Sequence, residues 1–315
     1  MSHALTSDTV GTPAARTRKR NLLRRASAFL FFLPATALFV GFVAYPILWV
    51  VDESVLRQRQ DGASTLVGLA NYGAVLRDPV FWIAMRNMAL WAAITIPVQM
   101  LIGGTIAWFI ERHTDTWRGF FRTMFFLPVV TSVSVISLVW VQIYAPYYGI
   151  AQAYLQAVGV TMTDSMLGSP GLAIYALIIV NVWEWTGFSM LMYIAGIANL
   201  PSEVLDAARI DGARGLRLAR SVVVPMLAPV TKSLLLLGII GTLQTFPIVQ
   251  LMTGGGPNHG SEVFGTYIFR WSFVLGDNNI GATLSVIVLL LAFVLTVAQI
   301  VFLGSSLARN RWTAR

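Results

Sequence analysis

The chain has 315 residues, of which 56% are hydrophobic and 11% are charged, with a mean hydropathy of +0.70 and a formal net charge of +8. A soluble domain carries about 25% charged residues, so this composition excludes an ordinary globular protein and indicates a polytopic membrane protein. The absence of cysteine excludes disulfides, thiol catalysis and thiolate metal sites.

The chain begins with a basic tail over 1–26 and continues with a series of apolar runs. A membrane-spanning helix needs about 20 mostly apolar residues. Six runs meet this requirement, at roughly 27–51, 82–110, 120–143, 171–199, 230–252 and 281–307. The first run is too long for the apolar region of a signal peptide, about 7–15 residues, and no small-x-small cleavage site follows it. The sequence therefore predicts an all-α integral membrane protein with a transmembrane domain over 27–307 and a short tail over 308–315.

The distribution of basic residues predicts the orientation of these spans. If the N-terminus is cytoplasmic, the inner segments 1–26, 111–122, 201–232 and 308–315 hold 17 of the 22 lysines and arginines. This bias predicts that both termini are cytoplasmic, and it also explains the net positive charge. No basic patch is interleaved with stacking aromatics, so a nucleic-acid partner is not expected.

Three outer loops lie between the predicted spans, and the first of them, 52–80, is short and mixed in charge. Loop 144–170 contains "YGIAQAYLQAVGV", which predicts a short amphipathic helix at the membrane interface. Loop 253–280 begins with "TGGGPNHG", whose glycines and proline predict turns. This stretch lacks the lysine of a phosphate-binding loop, and the only lysines in the chain are Lys19 and Lys232. Without a phosphate-binding loop, this chain is not expected to hydrolyse ATP. The three histidines form no H-E-x-x-H pair, so no resident metal is expected, and no set of catalytic residues is found.

The fourth predicted span carries one acidic residue, Glu184, in the stretch "NVWEWTG". An ionisable residue inside a span is costly and usually faces a cavity. Asn181 and Glu184 lie on nearly the same side of a helix, and Trp185 follows directly. A carboxylate that accepts hydrogen bonds from hydroxyl groups, next to an aromatic face that contacts C–H groups, suits a sugar. Glu184 could instead bond another span or lie near the interface.

The fifth predicted span contains small and polar residues in "GIIGTLQTFP". Gly238 and Gly241 could serve helix packing. Thr242, Gln244 and Thr245 add polar groups that could line a substrate path.

A charged segment, "EVLDAARIDGARGLRLARSVVVPM", separates the fourth and fifth spans within the loop 201–229. We expect Ser202 to cap a first helix that has Glu203 and Asp206 in its first turn. Gly212 is expected to end that helix in a left-handed conformation, and a second helix should run from about Ala213 to Val224. The residues alone leave two interpretations open, a docking element for another protein and an amphipathic connector resting on anionic lipid.

The order "DAA", three residues, Gly212, nine residues and "VVVP" resembles the cytoplasmic signature of permease subunits of binding-protein-dependent ABC importers. That signature is written Glu-Ala-Ala, three residues, Gly, nine residues, Ile-x-Leu-Pro, so Asp206 stands in place of the glutamate. The stretches "FFLPVVTSVSVISLVWVQIY", "VNVWEWTGFSMLMYIAGIANLP" and "LMTGGGPNHGS" resemble the carbohydrate-importing, maltose-type branch. The "GGGP" loop resembles the first of the two permeases in such systems. The resemblance covers about residues 25 to 307.

This resemblance implies that the elbow couples transport to ATP hydrolysis in a partner chain. The implied coupling residues are Glu203, Asp206, Ala207, Ala208, Asp211, Gly212 and Ala213. The implied substrate contacts are Val129, Val133, Glu184, Trp185, Gly238, Gly241, Thr242 and Thr245, to which the residues themselves add Asn181 and Gln244. Val129 and Val133 are apolar where a polar contact is expected.

The resemblance also implies the partners and the location of the chain. It predicts a multi-pass subunit of the bacterial inner membrane that pairs with a second permease. Two cytoplasmic ATPase subunits would bind ATP and Mg²⁺, so this chain would hold no cofactor. An extracytoplasmic sugar-binding protein would meet the loops 144–170 and 253–280.

The charge of Glu184 bears on the substrate, because a carboxylate in a low-dielectric path repels a phosphate. A neutral mono- or oligosaccharide is therefore favoured over glycerol phosphate, although an arginine from the second permease would reverse this preference. Two other classes remain as alternatives. An ion-coupled secondary transporter would require paired intramembrane acids, and this sequence has only Glu184. An intramembrane enzyme would require a nucleophile with a base, and no such pair is found.

Overall fold

The computed structural model describes residues 31–58, 63–113, 116–157, 159 and 165–312, with side chains as far as Val301. The basic tail predicted over 1–26 and the last residues, 313–315, lie outside this part. The chain forms two compact units, 1–53 and 54–315. The described part of the first unit begins at Phe31 and belongs to helix α1 (Phe31–Ser54), whose last residue already lies in the second unit. Helix α1 contains one π-helical turn at Val40–Ala44.

The second unit begins with a short hairpin on the outer side of the predicted topology. Strands β1 (Leu56–Gln58) and β2 (Ser64–Leu66) are antiparallel, with Arg57 opposite Thr65. Helix α2 (Ala70–Arg77) follows, and Asn71 donates hydrogen bonds from Nδ2 to the carbonyl oxygens of Ser54 (3.0 Å) and Leu56 (2.7 Å). This hairpin is a small addition to the predicted all-α class.

The remaining elements are helices, most of them apolar. They are α3 (Pro79–His113), α4 (Arg118–Val130), α5 (Val133–Ile143), α6 (Ile150–Ala157), α7 (Ala173–Ala198), α8 (Ser202–Ile210), α9 (Gly215–Met226), α10 (Ala228–Thr242), α11 (Phe246–Met252), α12 (Phe264–Phe269) and α13 (Asn278–Trp312). Helix α9 contains a π-helical turn at Ala219–Val223, and another such turn, Arg270–Val274, follows α12.

Within the described residues, four helices are long and apolar enough to cross a membrane, namely α1, α3, α7 and α13. Two further crossings are made if each of the bent pairs α4–α5 and α9–α10 counts as one span. The chain is therefore a helical membrane protein with four to six candidate spans, which agrees with the predicted fold class.

The predicted third span, 120–143, is divided by a bend of 95° between α4 and α5. Thr131 has extended backbone (φ −81°, ψ 142°) and ends α4, so the helix cannot continue through it. Pro128 lacks a backbone N–H and removes one helical hydrogen bond just before the bend. The predicted fifth span, 230–252, is also divided, because α10 ends at Thr242 and α11 begins at Phe246.

Helices α3 and α7 form the centre of the second unit, and α4 packs closely on α7. A Cβ atom on Gly187 of α7 would lie 1.9 Å from the carbonyl oxygen of Phe125 in α4. Glycine is therefore required for this approach, as at many helix contacts in membranes.

The core of the second unit consists of two apolar clusters. One includes Phe81, Trp91, Leu177 and Phe264 and joins α3 and α7 to α11, α12 and α13. The other includes Ala107, Ile110, Met190 and Leu234, and it reaches the elbow through Leu218, Val223 and Leu227.

Candidate functional site

A cavity of about 450 Å³ opens between α3, α5, α7, α10 and α11. Its walls include members of both apolar clusters, Trp91 and Ile248 from the first and Leu234 from the second. The cavity is large enough for a small organic ligand, since ligand sites usually measure about 300–1,000 Å³.

The cavity collects nine of the ten residues predicted to line a substrate path. These are Val133, Asn181, Glu184, Trp185, Gly238, Gly241, Thr242, Gln244 and Thr245. Three separate segments of the sequence contribute them, so the fold brings together residues that lie more than 100 positions apart. Whether they contact a substrate stays a prediction.

Val129 is the exception, since it does not line the cavity. It precedes the break at Thr131 and Ser132, whereas Val133 follows it at the beginning of α5. Because α4 and α5 differ in direction by 95°, the two valines do not share one helix face as a continuous span would require. The structure therefore does not bring Val129 to this cavity, and its contact with a substrate stays a prediction.

Glu184 is 6% exposed and, among the residues that the structure describes, is the only charged one that lines the cavity. Within the described part of the chain, no side chain or backbone group hydrogen-bonds to its carboxyl group. The helix-bridging role considered for Glu184 is thus not seen among these residues. A buried carboxyl without a protein partner is left to interact with whatever occupies the cavity.

Asn181 and Gln99 form a polar pair on the same wall. Gln99 of α3 donates hydrogen bonds from Nε2 to Oδ1 of Asn181 (3.0 Å) and to its backbone carbonyl oxygen (3.1 Å). This pair links α3 to α7 one helical turn before Glu184. The amide N–H₂ of Asn181 and the carbonyl oxygen of Gln99 have no partner among the described residues and could serve a ligand.

The break between α10 and α11 forms the opposite wall. Thr242 donates a hydrogen bond to the carbonyl oxygen of Gly238 (3.0 Å), and Thr245 donates one to the carbonyl oxygen of Thr242 (3.1 Å). Both hydroxyl donors are used in this way, so these threonines offer acceptor lone pairs to the cavity. Irregular backbone at membrane depth is tolerated where it lines a cavity of this kind.

Sequence reasoning missed the contribution of α3 to the cavity. Trp91, Thr95 and Gln99 line it and are spaced by four residues. This spacing places them on one face of a helix. A stripe of polar and aromatic residues along the second predicted span could therefore have indicated that α3 lines the site. Phe188, Ser189 and Leu237 were also missed.

The elbow between α7 and α10 consists of α8 and α9, joined by a tight turn. Gly212 has φ +84°, as predicted, and Ala213 donates a backbone hydrogen bond to the carbonyl oxygen of Ala208 (2.9 Å). This bond closes the end of α8 in the manner of a Schellman motif. Extended backbone at Arg214 then leads into α9.

Two details of the elbow differ from the sequence-based expectation. Ser202 is the first residue of α8 and not its cap, because Pro201 occupies the N-cap position and no side chain caps the helix. Asp206 lies beyond the first turn and forms an ion pair with Arg209 (2.8 Å), whereas Glu203 does lie in the first turn.

The predicted coupling residues of the elbow are mostly solvent-exposed. Helix α8 contains no buried residue, and its last residue, Ile210, is 86% exposed. Glu203, Asp206, Ala207, Asp211 and Gly212 are exposed, while Ala208 and Ala213 are half-buried. The elbow therefore presents an accessible surface with small side chains. Its docking role stays a prediction.

The outer loop 253–280 is held by a buried charged cluster. Glu262 is fully buried, and its Oε2 accepts hydrogen bonds from Nδ1 of His259 (2.6 Å) and Nη2 of Arg270 (3.0 Å). Asn87 of α3 donates from Nδ2 to the carbonyl oxygens of Gly260 (3.1 Å) and Glu262 (2.9 Å). The predicted turns are present, with positive φ at Gly254, Gly255, Asn258 and His259.

The loop 144–170 contains α6, as predicted, and exposes several tyrosines. Tyr147 is 92% exposed, and Tyr148 and Tyr154 are also exposed. In the other outer loop, 253–280, Tyr267 donates a hydrogen bond to Oδ2 of Asp78. Burial of its ring and this bond raise the pKa of the Tyr267 phenol, which therefore stays neutral.

Comparison with protein families and curated proteins gives consistent matches. Residues 99–309 match the model of the family described as binding-protein-dependent transport system inner membrane component. The chain is 33% identical over 277 residues to the probable ABC transporter permease protein YurN of Bacillus subtilis, covering 87% of this chain and 94% of that protein. Among the relatives whose names state a substrate, two are each 30% identical to this chain. The lactose transport system permease protein LacF of Rhizobium radiobacter covers 90% of this chain, with 97% of its own length matched. The sn-glycerol-3-phosphate transport system permease protein UgpA of Agrobacterium fabrum covers 87%, with 93% of its own length matched.

A solved structure shares the fold. It is a bacterial ABC transporter involved in the import of the acidic polysaccharide alginate. One of its chains matches with a TM-score of 0.78 at 18% identity, over 90% of this chain and 96% of that chain.

Proposed function

Because the chain belongs to the family of binding-protein-dependent transport system inner membrane components, we propose that it is the permease subunit of an ABC importer that moves a sugar into the cytoplasm. The cavity between α3, α7 and α10 would be its translocation site. The observation that carries this proposal is the gathering of nine predicted path residues around one cavity, among them Glu184, whose carboxyl group has no hydrogen-bond partner in the described part of the chain.

The lining of the cavity supports a carbohydrate. Trp185 offers an aromatic face for the C–H groups of a sugar ring, and Glu184, Asn181 and Gln99 offer hydrogen-bonding groups for hydroxyls. Mixed apolar walls with a few polar groups are typical of small-molecule sites. Lactose in the name of LacF is consistent with such a ligand.

The charge of the lining favours a neutral mono- or oligosaccharide over glycerol phosphate. None of the described lysines and arginines lines the cavity, and Glu184 would repel a phosphate group in a low-dielectric site. The name of UgpA states glycerol phosphate for an equally similar relative, so the choice rests on this lining. An arginine contributed by the second permease would change the preference.

The elbow would transmit the energy of ATP hydrolysis. Helix α8 exposes the small residue Ala207 beside the half-buried Ala208, and Leu218 and Val223 of α9 are buried in the same apolar cluster as Met190 of α7. A force applied to α8 would therefore be passed through α9 to α7 and α10. Both helices line the cavity, so movement of the elbow would change its access.

The remaining parts of the importer would be supplied by other chains. A second permease would pair with this one, two cytoplasmic ATPase subunits would bind ATP and Mg²⁺, and this chain would bind no cofactor. The loops 144–170 and 253–280, with the exposed Tyr147 and Tyr148, would meet an extracytoplasmic sugar-binding protein. This arrangement requires both termini and the elbow on the cytoplasmic side of the bacterial inner membrane.

The test is sugar uptake by proteoliposomes that contain both permeases, with the binding protein outside and ATP inside. We expect uptake only when the ATPase subunits are present, and none when ATP is replaced by a non-hydrolysable analogue. Uptake by the permease pair alone, driven by an ion gradient, would show that the chain is an ion-coupled secondary transporter and would overturn the proposal.

A further inference from the structure

A second cavity, of about 490 Å³, lies beside the elbow, where α3 and α7 end. Trp108 and Arg112 of α3 form one side, and Arg209 and Arg214 of the elbow form the other. Leu205 and Leu218 add apolar walls. The cavity is separate from the candidate translocation site, since the two share no lining residue.

The cavity carries an excess of positive charge. Glu111 also lines it, but this carboxylate is already paired with Arg122 (2.5 Å) and Arg118 (3.3 Å). Arg209 is paired with Asp206 (2.8 Å). Within the described residues, no carboxylate forms an ion pair with Arg112 or Arg214, so these two guanidinium groups are available to an anion.

The position of the cavity along α3 fits a lipid headgroup. Arg112 lies one residue before the end of α3, with its guanidinium carbon 5.4 Å from the centre of the Trp108 ring. Tryptophan and arginine at the end of a span are typical of the membrane–water interface. Basic pockets between helices on the cytoplasmic side bind phosphate-bearing headgroups.

We propose that this cavity binds the headgroup phosphate of an anionic phospholipid from the cytoplasmic leaflet, held between Arg112 and Arg214. The inference rests on the orientation in the proposed function. Arg112 belongs to a long span and Arg214 to the turn after α8, so one phosphate would tie the elbow to the transmembrane helices. Anionic lipid would then stabilise the elbow in the position that it has here.

The test compares two double variants of the assembled complex, each lacking two arginines. Arg112→Gln with Arg214→Gln removes the available guanidinium groups from the cavity. Arg217→Gln with Arg220→Gln removes two exposed arginines of α9 that do not line it. Native mass spectrometry of each complex, after titration with phosphatidylglycerol or phosphatidylcholine, measures the lipid retained.

We expect the cavity variant to bind phosphatidylglycerol at least about tenfold more weakly than the unchanged complex, since each arginine near an anionic headgroup contributes about a fivefold factor. The α9 variant should bind phosphatidylglycerol within about threefold of the unchanged complex. Both variants should bind phosphatidylcholine as the unchanged complex does. Equal phosphatidylglycerol binding by the two variants would overturn the proposal. Displacement of the lipid by millimolar inorganic phosphate would also overturn it, since the ligand would then be the free anion.

Co-purification of the ATPase subunits separates this inference from the proposed function. Loss of the ATPases from the cavity variant alone would show that Arg112 and Arg214 serve the subunit contact, which would overturn the lipid assignment. Failure of the unchanged chain to bind ATPases would instead contradict the proposed function itself.

Discussion

Glu184 is the residue on which the proposed sugar contacts depend most. It is a buried acid within a candidate span, and no described residue satisfies its carboxyl group. A carboxyl in such a place is costly to keep and is usually retained for function. Asn181, one turn away, already has a protein partner in Gln99, so Glu184 is the strongest unused acceptor in the cavity.

Replacing this acid by its neutral isostere tests the assignment. Glu184→Gln removes a charge-assisted hydrogen bond to a sugar hydroxyl, which is worth about 1.5–3 kcal/mol. We expect the sugar concentration for half-maximal ATP-driven uptake to rise at least about tenfold, with assembly of the complex unchanged. Asp52→Asn is the control, since it removes an exposed acid that does not line the cavity. Uptake kinetics equal to those of the unchanged chain would count against this site.

Gly212 is a residue whose type is dictated by its backbone conformation. Its φ of +84° is open to glycine, is tolerated by asparagine and is incompatible with the fixed φ of proline near −65°. Gly212→Pro should unwind the turn between α8 and α9 and abolish co-purification of the ATPase subunits, while membrane insertion persists. Gly212→Asn should retain the ATPases. If both variants retain them equally, the turn is not needed for docking.

At the scale of elements, the contact between α4 and α7 depends on the absence of a side chain at Gly187. A methyl group there would collide with the backbone at Phe125, which cannot move as a flexible side chain can. Gly187→Ala should therefore lower the unfolding temperature of the purified complex, at a cost of about 1–3 kcal/mol for overpacking. Gly119→Ala in α4 meets open space and should leave stability within about 0.5 kcal/mol. A Gly187→Ala complex as stable as the unchanged one would show that the two helices lie further apart.

The elements differ in how far the sequence could predict them. Long apolar runs predicted α1, α3, α7 and α13, because the bilayer sets the length of a span. The breaks at Thr131 and between Thr242 and Phe246 were not predicted, since the predicted spans run through them and the local backbone depends on packing.

The candidate site was predicted unevenly for the same reason. Unusual residues in an apolar setting, such as Glu184, Thr242 and Thr245, could be found by type alone. Trp91, Thr95 and Gln99 were missed because each is unremarkable by itself, and only their spacing on α3 places them at the cavity. Val129 does not line the cavity because the chain bends after α4, and this bend was not predicted.

At the scale of the whole second unit, the cavity is bordered by two apolar clusters with different connections. One cluster joins α3 and α7 to the outer loop region around Phe264, and the other joins them to the elbow. A site between two such bodies can change its access when one body moves relative to the other. The proposed mechanism therefore requires that an ATPase subunit hold α8.

A thiol crosslink from α8 tests that requirement most directly. The chain contains no cysteine, so Ala207→Cys introduces a unique, exposed thiol into α8, and Tyr148→Cys introduces one into the outer loop. The assembled complex would be treated with a short bifunctional reagent after a single cysteine is placed in the cleft of the ATPase subunit. We predict a crosslink to the ATPase from Ala207→Cys and none from Tyr148→Cys. No crosslink from Ala207→Cys, or one from Tyr148→Cys, would contradict the account.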